Sequence, residues 1–304
     1  MITKNSFMKA VFFAAFFAFM LAACSSGGEQ EDAQQEQRVQ ASEEQSGNQS
    51  VTKAQQVFYS LPSPFELASL LKHSGAKFNK DILSSPDKLT DYTTSASKAI
   101  NLGIYGADLS YASIFGQTQD AMSYLKCVKT LTDELGISDA FDKTSMDRIE
   151  ANKEDNDSIS QIVSEAYLLA NSYLKDSERE HTSTFILAGG LIEGLYIATT
   201  LASDETNNEE LMIMVADQKF AIENLTALLS TYEEDDAKEL LNDLSGLKAA
   251  YDQLEESETA EIIVETNTEE NKTVIGGDDL LSITPEQFST IIEKVTEIRT
   301  KYIQ

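Results

Sequence analysis

The sequence predicts an all-α protein: a multi-helix bundle with Gly-bearing central helices and a small β-hairpin near the C-terminus. Three observations carry this. Apolar residues recur three and four places apart over most of the chain after Val57. All four prolines, Pro62, Pro64, Pro86 and Pro285, stand at or just before a helix start, where a fixed φ and a missing N–H cost nothing. Only residues 260–276 break the helical period, and there AEIIVET and KTVI flank a polar loop as the arms of a hairpin do.

The elements follow in order. In SLPSPFELASLLKHSG, Ser63 caps, Pro64 takes the first helical position, Glu66 closes a capping box and Gly75 ends the helix. Pro86 opens a second helix, expected over Asp87 to about Phe115. Gln117 or Thr118 starts a third, TQDAMSYLKCVKTLTDELG, stopped at Gly136. SMDRIEANKE is a short helix, and SISQIVSEAYLLANSYLK carries helical periodicity through Ile159, Ile162, Val163, Ala166 and Leu169. Residues 182–203, TSTFILAGGLIEGLYIATTLAS, are almost wholly apolar, and 185–202 have the length to cross a bilayer. Their glycines and amphipathic neighbours fit a buried core helix better. NEELMIMVADQKFAIENLTALLSTY and DDAKELLNDLSGLKAAYDQLEE are each expected to form one amphipathic helix. Thr284-Pro285-Glu286-Gln287 is a second capping box and opens the last helix, to Tyr302.

Two of these helices look alike. NLGIYGADLSYASIFG and ILAGGLIEGLYIATTLA both carry glycines in an apolar run, and each precedes an amphipathic helix. Gly103, Gly106 and Ala107 in one, with Gly190 and Gly194 in the other, put small residues on one face. Such faces let two backbones approach closely, so the two helices are expected to cross at the centre of the bundle.

The first residues are of another kind. Lys4 and Lys9 precede an apolar run from Ala10 to Ala23, too short for a comfortable permanent span. A basic start, a short apolar middle and small residues before a cut make a secretory signal peptide. Leu21-Ala22-Ala23-Cys24 resembles the lipobox of bacterial lipoproteins. That resemblance implies cleavage before Cys24, a thioether-linked diacylglycerol on its sulfur and acylation of the new amine. Several acyl chains anchor firmly where one does not. By the sorting rule of such lipoproteins, Ser25 points to the outer membrane. Glu29, Glu31 and Asp32 are similar to surface-export signals of Bacteroidota lipoproteins, so a periplasm-facing and a cell-surface position both stay open. Residues 25–53 are Gln, Glu, Ser and Gly with almost no large apolar side chains, a composition that cannot build a core. Such a tether of about thirty residues reaches roughly 30 Å. The expected organisation is a lipoprotein signal peptide over residues 1–23, a disordered acidic tether over 24–53 and one helical domain over 54–304.

Beyond the lipobox, SLPSP together with NLGIYGADLSY resembles a group of uncharacterised outer-membrane lipoproteins of Bacteroidota. The resemblance covers most of the chain after the tether. It implies a setting and carries no activity.

Composition excludes more than it selects. The precursor has a formal charge of −28, and removing residues 1–23 removes two lysines and no acid. Such a surface repels nucleic acid and anionic headgroups. With Cys24 acylated, Cys127 has no intramolecular disulfide partner, and its place beside Tyr124, Val128 and Leu131 predicts a buried, inert thiol. Two histidines, His73 and His181, and one thiol are too few for a Cys/His zinc site. No metal or cofactor is expected. There is no G-x-S-x-G, H-E-x-x-H, G-x-G-x-x-G or phosphate-binding Gly-Lys-Ser/Thr loop. EDNDSIS at 154–160 lacks the glycine and final Glu of a calcium loop and reads as a solvated helix cap. Asp157-Ser158-Ile159 resembles the Bacteroidota O-glycosylation pattern, which makes Ser158 a candidate acceptor.

Glu193 is the oddest residue in the chain. Its neighbours at helical spacing are Gly189, Gly190, Tyr196 and Ile197, and a carboxylate there is costly to bury unless paired or protonated. It is either a functional acid in an internal cleft or the partner of an Arg, a Lys or a Tyr hydroxyl. Asp108 is its counterpart, on a stripe with Lys98, Asn101 and Tyr105 that is expected to face water. If the helices cross, Asp108, Glu193, Tyr105 and Tyr196 can line one polar pocket, where a carboxylate pair binds a small ligand or cation or does acid–base work. Three function classes follow. The first is a lipid-anchored, non-enzymatic interaction or assembly module with a protein partner in the envelope. The second is a ligand- or cation-binding lipoprotein. The third is an acid–base hydrolase such as a glycosidase.

Overall fold

The computed structural model describes residues 64–138, 180–204, 209–256, 262–267, 272–277 and 281–304, with isolated positions between 148 and 179. All of them belong to one unit, residues 48–304. The expected signal peptide, tether and Ser63 cap lie outside the described residues, as does most of the stretch from 139 to 178.

The described chain is all-α with small strand pairs. It begins with α1 (Pro64–His73), closed by Gly75 at φ +87°, a left-handed conformation that glycine adopts without strain. The helix expected from Asp87 to Phe115 is interrupted. Lys80–Ile82 and Pro86–Asp91 are short 3-10 turns, and α2 (Ser95–Ile114) starts afresh. The reason is local. The Thr94 and Ser97 side chains bond each other's backbone N–H in a reciprocal capping box, and this satisfies donors that a continuous helix would have used. Next come α3 (Thr118–Glu134), ended by Gly136 at φ +64°, and α4 (Glu180–Asp204). The amphipathic run from Asn208 splits into α5 (Glu209–Ala216) and α6 (Lys219–Leu229). At the break, the Val215 carbonyl accepts the Tyr251 hydroxyl at 3.0 Å, and Lys219 Nζ reaches the Leu254 carbonyl at 2.9 Å. Then follow α7 (Asp235–Tyr251) and β1 (Glu255–Glu256), the antiparallel pair β2 (Ile262–Asn267) and β3 (Lys272–Gly277), and β4 (Leu281–Ser282), which returns to β1. Last is α8 (Pro285–Tyr302), opened by the expected Thr284–Gln287 capping box.

Helices α2 and α4 form the centre. Gly103 lies against the Ile186 carbonyl and the Gly190 amide, and Gly189 lies against the Ile100 carbonyl. A Cβ at either glycine would sit far inside contact distance of backbone. The close approach uses Gly189 rather than Gly194, which faces the Leu67 side chain, and Gly106 meets nothing. Helix α4 is buried over most of its length, 89% of its apolar window being covered by protein. Several of its hydroxyls bond within the helix: Thr199 Oγ1 donates to the Leu195 carbonyl at 2.7 Å, and Ser203 Oγ to that of Thr199 at 2.8 Å. Around the pair, α1, α3, α5, α6, α7 and α8 add their apolar stripes to one core.

Candidate functional site: a buried carboxylate pair and its arginine

The segment between the two 3-10 turns runs into the core, which its backbone polar groups can enter only if each finds a partner. The Ile82 carbonyl accepts Arg299 Nη2 at 2.9 Å. The Ser84 N–H donates to Asp108 Oδ2 at 3.2 Å, and the Ser84 carbonyl accepts the Tyr124 hydroxyl at 3.0 Å. The Ser85 carbonyl accepts the Tyr105 hydroxyl at 2.8 Å. Side chains from α2, α3 and α8 thus hold one short loop.

The charged groups stand beside it. Glu193 on α4 takes Arg299 bidentately, Nε to Oε2 at 2.7 Å and Nη2 to Oε1 at 2.8 Å, the strong two-point geometry of guanidinium and carboxylate. Ser84 Oγ accepts from Arg299 Nη2 at 3.1 Å and donates to Glu193 Oε1 at 3.5 Å. The Arg299 Cζ lies 3.9 Å from the Tyr196 ring centroid, a cation–π stack on its other face. Glu193 and Asp108 are 0% exposed and Arg299 7%. The Asp108 and Glu193 carboxyl groups meet at Ser84, Asp108 on its N–H and Glu193 on its hydroxyl.

Burial, and then the neighbouring Glu193 charge, hold the Asp108 carboxyl well above the ordinary carboxylate range, against a smaller pull from Arg299 and the Ser84 N–H. Burial alone would disfavour the Arg299 charge. The Glu193 bonds and charge outweigh it and keep the guanidinium above its ordinary value. Burial also raises Tyr92, Tyr105 and Tyr124, and pushes the buried Cys127 thiol up to about 11.

The structure therefore brings Asp108, Glu193 and Tyr196 into one cluster. Tyr105 stands beside it, its hydroxyl on Ser85 and its ring tilted against Tyr92 and Tyr124. The stripe expected to face water does the reverse: Asn101, Tyr105 and Asp108 are all buried, because α8 and the 82–85 loop pack over it. Asn101 Nδ2 donates to the Tyr302 carbonyl at 2.9 Å, and only Lys98 reaches the surface, paired with Glu134. Sequence reasoning missed Arg299, Ser84 and Tyr124. Arg299 had a signal, since it continues the stripe of Phe288, Ile291, Val295 and Ile298. Ser84 had none.

A glycosidase needs its two carboxyls on either side of a scissile bond, whereas Asp108 and Glu193 are both wholly buried and both bond Ser84. Among the described residues, no group of three or more His, Cys, Asp and Glu is arranged to hold a metal ion. Outside the cluster, the Ser158 hydroxyl donates to Asp155 Oδ2 at 2.7 Å and its N–H to Oδ1 at 3.2 Å, a helix cap, with Ile159 buried beside it. Cys24 lies outside the described residues. Comparisons with protein-family models, with curated proteins and with solved structures each returned no match.

Proposed function

We propose that the chain is a lipid-anchored protein of the outer membrane whose helical domain serves as a non-enzymatic interaction or assembly module. The observation that carries this reading is Leu21-Ala22-Ala23-Cys24, closing an apolar run with a basic start and followed by an acidic, polar stretch. The domain's chemistry supports it. The buried carboxylate Glu193 is consumed by Arg299 inside the bundle. The acids that remain are mostly on the surface, and they suit a partner with a basic face. Peripheral Leu70 and Phe220, each 51% exposed, add apolar contact area.

The first test is fractionation. The protein should sediment with outer membranes and carry acyl label, and Cys24→Ala should lose the label and move to the soluble fraction or stay unprocessed. A wild-type chain without acyl label sinks the proposal. Crosslinking in whole envelopes then identifies the partner.

One observation favours a second reading, ligand or cation binding at Asp108: its Oδ1 is buried and meets no donor among the described residues. A ligand held there adds mass in a native mass spectrum that denaturation removes. Identical native and denatured masses reject it.

A further inference from the structure

The cluster at the helix crossing holds one acceptor too many. Asp108 and Glu193 are both wholly buried and meet at Ser84, whose N–H donates to Asp108 Oδ2 at 3.2 Å and whose hydroxyl donates to Glu193 Oε1 at 3.5 Å. The one guanidinium among them spends Nε and Nη2 on Glu193, Ile82 and Ser84. Asp108 Oδ2 accepts the Ser84 N–H, and Oδ1 accepts nothing among the described residues. With both acids ionised, the interior would carry a net negative charge and two sets of lone pairs would face each other, a costly arrangement away from water.

The other groups around Asp108 do not relieve this. Tyr105 comes from its own helix, Tyr92 from the stretch before it, Tyr124 and Cys127 from α3, and Tyr196 from α4. The Tyr105 and Tyr124 hydroxyls donate to the Ser85 and Ser84 carbonyls. Helix α1 sends Leu67, Ala68 and Leu71 between α2 and α4. Among the described residues, the ionised neighbours are therefore Glu193 and Arg299. A proton on Asp108 makes the cluster neutral and turns the repulsion into a hydrogen bond.

We propose that Asp108 carries a proton in the folded protein and donates it to Glu193, and that loss of this proton releases α8 from the helix crossing. Arg299 is the hinge of that release. It belongs to α8, and a second carboxylate would compete with Glu193 for it while it also holds the 82–85 loop. The sign is the reverse of the usual carboxylate. The folded protein binds this proton more tightly than the unfolded chain does. The contribution is therefore complete below the ordinary carboxylate range and is lost as pH rises through the raised folded value.

The test uses the full chain in detergent, with the infrared carbonyl band of a protonated carboxylic acid and the hydrogen exchange of Pro285–Tyr302 followed from acid to alkaline pH. The wild type should show the band at neutral pH and lose it on alkalinisation, and Asp108→Asn should lack it. Protection of the last helix, corrected for intrinsic exchange, should fall about tenfold per pH unit over the window where the closed form keeps the proton and the open form does not. In Asp108→Asn it should be flat. A wild type without the band at neutral pH overturns the proposal, and added sodium or potassium raising stability there would assign the position to a cation. Parallel exchange profiles in the two proteins overturn the release step. If Asp108→Asn does not fold, the wild-type band and its titration still decide.

Discussion

Arg299 sits where an apolar residue belongs. It follows Val295 by four places on the buried stripe of α8, and its charge is accommodated because Glu193 meets it at two points. Removing one partner of such a pair leaves the other charge buried and alone, which costs about 3–5 kcal/mol. Arg299→Met should lower unfolding free energy by that amount in denaturant titration, and Glu193→Leu should lower it by less, because Asp108 can give up its proton and pair with Arg299 instead. Glu193→Leu with Arg299→Met should cost far less than the sum of the single changes, because an apolar pair replaces the ion pair. Additive losses would show that the pair is not coupled. Half of this pairing was legible. Glu193 stands out as the one charge in a long apolar run, but its partner is 106 positions away and resembles any surface arginine until the helix face is counted. Ser84 gave no sign, since its role comes from the route of the backbone and not from its neighbours in sequence.

At the scale of elements, the crossing of α2 and α4 rests on two glycines. Gly103 and Gly189 are where the backbones touch. An added methyl at either must force the helices apart, at a cost near or above the ~1–3 kcal/mol of ordinary overpacking. Gly106, one turn along α2, has open space around its Cβ position. Gly106→Ala should stabilise by about 0.5–1 kcal/mol, the usual gain for a helix interior. Thermal unfolding of the three alanine variants checks this, and equal losses at all three positions would remove the glycine account of the crossing. The crossing was foreseen from the paired Gly-bearing runs, and the choice of Gly189 was not, since several small residues share the same stretch. Two helix extents were also overread. Apolar spacing continues through Tyr92 and through Asp217-Gln218, while the hydrogen bonds that break the helices come from the Thr94 cap and from Tyr251.

At the scale of the molecule, α8 is the closing piece. Phe288, Ile291, Val295 and Ile298 enter the core, Arg299 reaches the centre, and the Tyr302 carbonyl is held by Asn101. On the outside, Lys301 bridges Glu239 and Asp243 of α7 at 2.7 and 2.5 Å. A chain ended before Pro285 loses all of this and leaves Glu193 buried without a cation. It should lose its cooperative thermal transition and the near-ultraviolet signal of its buried tyrosines. A truncated chain that still unfolds cooperatively would show that α8 is peripheral.

The sequence by itself determined the helical class, the caps at Gly136 and Thr284, the central place of the two Gly-bearing runs and the resemblance of Leu21-Ala22-Ala23-Cys24 to a lipobox. These are local matters, set by residue spacing, backbone freedom and turn chemistry. The tertiary structure alone decided that Asp108 is buried, that Glu193 pairs with Arg299 and that a loop between two short turns supplies the remaining donors and acceptors. Those outcomes depend on which helix face meets which neighbour. A polar residue on a helix carries no record of whether water or a distant segment will lie over it.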